Sequence, residues 1–193
     1  MLEATASRGI NRVVLTSLVT AILGGTKVGR VYTANDWTDP RDPGMTPYGI
    51  SKPLAGRCAW NFCKSKGIPL TTIHPTMVLG PALEPDYGSS LAALVKLLRR
   101  EAPLLPRFEF EIIDARDAAG LHRLAPENPE AIGQRLIAAN GFLWFREIAV
   151  LLVDAYPPVE LPAGNCLAGS PGWRASSSKK SEPPSMTSRS WRN

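Results

Sequence analysis

Short apolar runs alternate along this chain with longer segments in which apolar residues recur at helical spacing. The runs are rich in β-branched residues and bounded by turn-forming residues, as buried strands are, whereas the longer segments carry helix start and stop residues. Strands and helices in alternation predict an α/β domain with a parallel sheet. The predicted strands cover residues 12–17, 70–79, 108–114 and 135–139, and the predicted helices cover 2–9, 46–66, 89–100, 118–124 and 147–155.

The helix predicted over residues 46–66 has the clearest limits. Thr46 is a suitable N-cap, Pro47 suits the first helical position, and Gly67 is a suitable C-terminal stop. For the shorter helix over residues 118–124, we expect Asp117 to be the N-cap.

The periodic pattern ends near residue 160. Residues 162–193 contain eight serines and four prolines without apolar periodicity, so we expect one domain, 1–160, and a disordered tail, 161–193. That tail holds five basic residues and one acid, while the net charge of the whole chain is +5. The domain itself is therefore nearly neutral, and its charge does not favour nucleic acid as a partner.

The cysteines and the apolar runs limit the other classes of protein. Cys58, Cys63 and Cys166 have neither CxxC spacing nor a histidine in ligand register, so we expect reduced thiols in a cytoplasmic protein and no metal site. His74 lies in a predicted buried strand and is interpreted as a packed or surface residue, not as a catalytic base. No apolar run approaches the roughly 20 residues that span a bilayer, so we expect no membrane partner.

One motif suggests chemistry. Tyr48 and Lys52 are four residues apart at the start of the predicted helix, so their side chains lie on one helical face. A nearby ammonium group favours the phenolate form of a tyrosine and thereby makes the phenol a better general acid or base. Taken alone, such a pair is common enough to arise by chance.

The motifs around that pair follow one another in a characteristic order. They are residues 12–17, Thr46-Pro47-Tyr48 with Ser51-Lys52, Ala59-Trp60, residues 75–81, Asp114-Ala115-Arg116-Asp117, Leu121-His122, Phe142, residues 146–149 and Tyr156-Pro157. This order resembles the C-terminal part of the extended short-chain dehydrogenase/reductase superfamily (the NAD-dependent epimerase/dehydratase family), in particular its dihydroflavonol-4-reductase-like branch. The resemblance covers residues 2–156 and implies a partial Rossmann-type, doubly wound parallel sheet.

The resemblance implies an oxidoreductase that uses NADP or NAD and reduces the carbonyl group of a small-molecule substrate, or oxidises the alcohol. Tyr48 would donate the proton to the substrate oxygen, and Lys52 would tune Tyr48 and hold the nicotinamide ribose. Ser17 is the candidate for the further catalytic hydroxyl, with Thr20 as the alternative. The implied cofactor-binding residues are Tyr48, Lys52, Thr72, Pro75 and Ser90.

Three departures from the family pattern leave alternatives open. Leu18 occupies the position of the third catalytic hydroxyl, and Pro53 lies inside the helix, where we expect a kink that turns Lys52 away from Tyr48. The chain also contains no Gly-x-Gly-x-x-Gly segment after a strand. We therefore expect that the nucleotide-binding half and its four strands are missing, and that strand 12–17 self-associates through an unpaired edge. The alternatives are a nucleotide-sugar epimerase or dehydratase and a catalytically inactive remnant.

Overall fold

The computed structural model describes residues 1–24, 30–84, 88–99, 101 and 109–156, which form an α/β fold. The predicted tail, residues 161–193, lies outside the described residues, and so does Cys166. The strands are β1 (Val13–Thr16), β2 (Leu70–Pro75), β3 (Met77–Leu79), β4 (Glu109–Asp114), β5 (Arg135–Ala138) and β6 (Gly141–Trp144). The helices are α1 (Leu2–Ser7), α2 (Pro47–Lys66), α3 (Ser89–Leu98), α4 (Ala115–Leu124) and α5 (Phe145–Ala155), with 3₁₀ turns at Val19–Ala21 and Pro129–Ala131.

The first sheet is wholly parallel and has the strand order β1-β2-β5. All six residues of the central strand β2 are buried, as expected for a parallel strand that is covered on both faces. Its Ile73 packs in the main hydrophobic cluster with Ile113, Ala118 and Ala138. Among the described residues β1 pairs only with β2, so self-association through its other edge stays a prediction.

Helix α2 packs against this sheet through Ala59 and Cys63, which form a buried cluster with Leu70. The predicted limits of the helix are confirmed. The Thr46 hydroxyl accepts a hydrogen bond from the backbone N–H of Gly49 at 3.1 Å, and Gly67 ends the helix with a left-handed φ of 64°.

The second sheet has the order β3-β4-β6, in which β3 and β4 are parallel and β4 and β6 are antiparallel. The single strand predicted over residues 70–79 is therefore wrong, because the chain changes sheets at Thr76. Thr76 still donates its backbone N–H to Ala138 of the first sheet at 3.1 Å, and the next residue begins β3. A continuous apolar run cannot reveal such a change, since both pieces are apolar.

Two further predictions are corrected near the end of the fold. Strand β6 was absent from the predicted elements, because its four residues lead directly into the apolar face of α5. Helix α4 begins three residues before the predicted start, and Asp114, not Asp117, is its N-cap. The Asp114 carboxylate accepts from the backbone N–H of Arg116 at 2.7 Å and from its guanidinium, which lowers the pKa of Asp114 to about 2.

Candidate active site

The carboxyl ends of the three parallel strands meet at one edge of the first sheet, where open α/β folds bind their ligands. Strand β1 ends at Thr16, and Ser17 follows with its backbone N–H donating to Ile73 at 2.7 Å. The chain then enters the turn Val19–Ala21, which contacts helix α2. This edge therefore brings Ser17 and the start of α2 into one region.

Tyr48 and Lys52 meet in the first two turns of α2. The Lys52 Nζ lies 4.5 Å from the centroid of the Tyr48 ring, in a cation–π contact. Tyr48 is 59% exposed, so its hydroxyl can reach a bound molecule. The structure thus brings together the two residues that the motif predicts.

Pro53 does not separate this pair. Helix α2 continues without a break from Pro47 to Lys66. Pro53 is an internal position of this helix, and its ring is buried in the protein. The expectation that a kink at Pro53 would turn Lys52 away from Tyr48 is therefore wrong. The missing N–H affects one hydrogen bond near the helix start, where the Thr46 cap holds the first turn.

Gly49 lets the first turn of α2 approach the turn that follows β1. A Cβ atom at this position would lie 2.8 Å from the Met45 Cε atom and 3.6 Å from the Thr20 Cγ2 atom. Thr38 holds the same turn from the other side, since its hydroxyl donates to the Thr20 carbonyl at 2.7 Å. Close packing therefore places Tyr48 beside the carboxyl end of β1.

A buried hydrogen-bond chain lies beneath this edge. The Nδ1 atom of His74 lies 3.0 Å from the Leu18 carbonyl oxygen, and its Nε2 atom lies 2.9 Å from the Thr72 hydroxyl. A carbonyl can only accept, so Nδ1 donates; burial also lowers the pKa of His74, so Nε2 is a neutral acceptor from Thr72. Of the two alternatives for His74, packed or surface, the structure shows the packed one; sequence reasoning missed its bond to Leu18.

The other predicted cofactor residues lie in different settings. Thr72 and Pro75 belong to the buried strand β2, and the Thr72 side chain is fully enclosed. Ser90 lies in the first turn of α3, a helix that contacts β3 and α5. The roles of Ser17, Thr72, Pro75 and Ser90 stay predictions.

A cleft of about 540 Å³ lies between the two sheets; we call it the intersheet cleft. Its walls include Val19, Thr76 and Ile137 from the carboxyl edge of the first sheet and Glu111 and Phe142 from the second. Among the described residues that line it, neither Tyr48 nor Lys52 appears, and the turn at Val19 links the cleft to their helix. Sequence reasoning missed Glu111, because the alternation of acidic and apolar residues over 108–112 is typical of any strand with one solvated face.

No helix within the described ranges combines the length and apolar character that a bilayer crossing requires. No three His, Cys, Asp or Glu residues in those ranges are grouped as they would be around a metal ion.

The comparison with protein families identifies the chain. A model of the NAD dependent epimerase/dehydratase family matches residues 1–138, which is more than half of the chain. The chain belongs to this family. Membership confirms the resemblance drawn from the motifs around Tyr48 and Lys52, and it agrees with the α/β, Rossmann-type fold.

Curated relatives of this epimerase/dehydratase chain include plant reductases. Cinnamoyl-CoA reductase CAD2 of Medicago truncatula is 33% identical over 161 residues, covering 81% of this chain and 49% of the relative. Tetraketide alpha-pyrone reductase 2 of Arabidopsis thaliana is 30% identical, covering 80% and 49%. The chain thus spans about half the length of the curated relatives it matches.

A solved structure shares the fold. Yeast methylglyoxal/isovaleraldehyde reductase Gre2, complexed with NADPH, superposes with a TM-score of 0.73 at 23% identity. The match covers 84% of this chain and 54% of the yeast chain. At this identity the likeness supports the fold alone.

Proposed function

We propose that this chain provides the proton-transfer part of an NADP- or NAD-dependent reductase that converts a small-molecule carbonyl group to an alcohol. The observation that carries the proposal is the contact between the exposed Tyr48 and Lys52 at the carboxyl edge of the sheet. Family membership and the reductases among the relatives support the same reaction. The matching family is NAD dependent, which supports a nicotinamide cofactor.

In this proposal, Tyr48 and Lys52 perform the proton transfer. Nicotinamide, when bound, would supply the hydride to the carbonyl carbon. The Tyr48 hydroxyl donates its proton to the carbonyl oxygen, so that the product is a neutral alcohol. The ammonium group of Lys52, 4.5 Å from the ring, stabilises the negative charge that develops on Tyr48 as the proton leaves.

The residues at the edge fit the nicotinamide end of such a cofactor. Lys52 is only half-buried, so its ammonium group is free to donate to a ribose hydroxyl. Ser17 would supply a second hydroxyl to the substrate oxygen, because Leu18 contributes only a backbone carbonyl, which already accepts from His74. Thr72 is enclosed, so it would support the site through His74, and Pro75 and Ser90 would lie along the cofactor.

The test is a fusion protein in which a relative provides the amino-terminal half that this chain does not span. The amino-terminal half of the Medicago reductase, fused ahead of Leu2, should give a protein that oxidises NADPH or NADH with cinnamoyl-CoA or an aromatic ketone. Tyr48→Phe should lower kcat by about 100-fold or more, because positioned proton transfer contributes about that much. As a control, Tyr156→Phe makes the same change at an exposed position directly after α5. It should leave the rate unchanged.

Each other outcome contradicts the proposal. A fusion that reduces the carbonyl equally well with Tyr48→Phe would remove Tyr48 from the mechanism. Conversion of a nucleotide sugar without carbonyl reduction would favour an epimerase or dehydratase. A folded fusion that binds NADPH but has no activity on either class of substrate would favour an inactive remnant.

A further inference from the structure

The Glu111 carboxylate is unusual in the described part of the second sheet, because no neighbouring group pairs with its buried oxygen. It lies in the middle of β4, opposite Phe142 of β6. Its Oε2 atom is buried and has no hydrogen-bond partner, and burial raises the pKa of the carboxyl group. An unpaired polar group in such a place costs free energy, so its presence calls for a function.

The pleat of β4 directs this side chain into the intersheet cleft. Phe110 also borders the cleft, but its ring packs on the opposite face of β4, against Leu97 and Phe145, with a distance of 5.8 Å to the Phe145 ring. Side chains alternate along a strand, so Glu111 lies on the face away from α3 and α5, as Ile113 does. Glu111 and Phe142 are directly opposed in an antiparallel pair, so they share that face, and both line the cleft.

The cleft has the size and lining of a small-molecule site. Its volume of about 540 Å³ falls in the range of about 300–1,000 Å³ that is usual for ligand pockets. Most of its other walls are apolar, through Val19, Leu23, Ile137 and Phe142; a second carboxylate, Glu109, also lines the cleft but is exposed to solvent. The described cation in the wall, Arg30, is already bonded to Asp36 and stacked on Tyr32, so it does not neutralise Glu111.

We infer that Glu111 determines substrate specificity: its carboxyl group accepts a hydrogen bond from a hydroxyl group of an otherwise apolar substrate, and it repels substrates that carry a carboxylate there. This inference rests on the proposed function for the carbonyl substrate, and Val19, which lines the cleft in the turn that contacts α2, connects the cleft to the helix of Tyr48. A carboxyl group with no protein partner is well suited to a ligand hydroxyl, since the bond satisfies a group that is otherwise unpaired. An anion at the same position would face a like charge in apolar surroundings.

Three aromatic ketones of similar size test the inference by direct binding, without cofactor or turnover. They are 4-hydroxyacetophenone, 4-methoxyacetophenone and 4-acetylbenzoate, titrated against the 193-residue chain by ligand-observed NMR. The hydroxyl probe should bind about 10-fold or more tightly than the methoxy probe, since hydrogen bonds to charged groups are the strong ones. The carboxylate probe should bind most weakly.

Three variants separate the role of Glu111 from a general change in the cleft. Glu111→Leu should bring the hydroxyl and methoxy probes to within about 2-fold of each other. Glu111→Gln should keep most of the hydroxyl preference, because the amide oxygen accepts, and should bind the carboxylate probe more tightly than the unchanged chain does. Glu130→Gln makes the matched change at an exposed position of the Pro129–Ala131 turn and should behave as the unchanged chain.

Equal affinities for the hydroxyl and methoxy probes in the unchanged chain would overturn the inference, and so would an unchanged ratio in Glu111→Leu. The fold of each variant is checked by circular dichroism, and Glu111→Gln, the more conservative change, decides the matter where Glu111→Leu does not fold. These results are independent of hydride transfer. Loss of activity in the fusion protein with a retained binding ratio would refute the proposed function alone.

Discussion

Two buried hydrogen bonds determine which ring nitrogen of the neutral His74 side chain carries the proton. Its Nδ1–H donates to Leu18, and its Nε2 accepts from Thr72, so the ring joins β2 to the end of β1. His74 is 1% exposed, and its burial, with the charge of Arg135, lowers its pKa against the opposing effect of the Leu18 bond. The sequence predicted a packed or surface histidine, whereas its burial and its partner Leu18, 56 residues away, follow only from the fold.

This state predicts how stability depends on pH. Just below pH 6.5, the ordinary pKa of histidine, His74 is still neutral in the folded chain, whereas the unfolded chain already binds a proton at this residue. The stabilisation is therefore complete above that value and is lost as the pH falls through the lower folded pKa. Urea unfolding between about pH 7 and about pH 5 should show a falling free energy of unfolding. His74→Gln, which has no titrating group, should reduce this slope, and an equal slope in both proteins would contradict the assignment.

At the scale of elements, α2 is the best predicted part of the site. Its N-cap and first proline mark one end and its final glycine marks the other, and each signal acts within a few residues, so local signals were enough to locate both ends. The paired side chains Tyr48 and Lys52 follow from helical periodicity alone. The tolerance of Pro53 was not predicted, because it depends on the burial of the ring in the folded chain.

The cap of α2 is open to a direct test. Thr46→Ala should lower the free energy of unfolding by about 0.5–2 kcal/mol, because the backbone N–H of Gly49 loses its acceptor. Thr46→Ser keeps the hydroxyl and should retain most of the stability. Urea denaturation of both variants measures the difference; equal losses in the two would show that the hydroxyl does not cap the helix.

Across the whole molecule, Arg135 connects parts of the chain that are far apart in sequence. From the start of β5, its Nη1 atom donates to the carbonyls of Ala34 and Asp36 at 2.6 and 2.7 Å. Its guanidinium carbon lies 3.8 Å from the centroid of the Trp37 ring, and Arg57 of α2 lies over the same ring at 4.5 Å. Burial and the neighbouring Arg57 lower the pKa of Arg135 to about 10. Arg135 thus holds the loop that leads into α2 against the sheet.

Removal of this link should be costly. Arg135→Met keeps most of the side-chain volume but leaves two carbonyls without a donor, so we expect a loss of about 1–3 kcal/mol in the free energy of unfolding. Arg41→Met replaces an exposed arginine whose partner is the neighbouring Asp39, and we expect a change below about 0.5 kcal/mol. Thermal or urea unfolding compares the two, and equal losses would show that Arg135 has no structural role.

The amino-acid sequence by itself determined the α/β class, the limits of α2 and the Tyr48–Lys52 pair, because caps, periodicity and turn residues act within a few residues of one another. Only the tertiary structure decided where the apolar run after Leu70 changes sheets and which side chains meet across the cleft. Strand pairing and burial join residues that are distant in sequence, as Glu111 and Phe142 are across β4 and β6 and as His74 and Leu18 are beneath the edge. Such contacts depend on packing in three dimensions, which leaves no periodic signal in the chain.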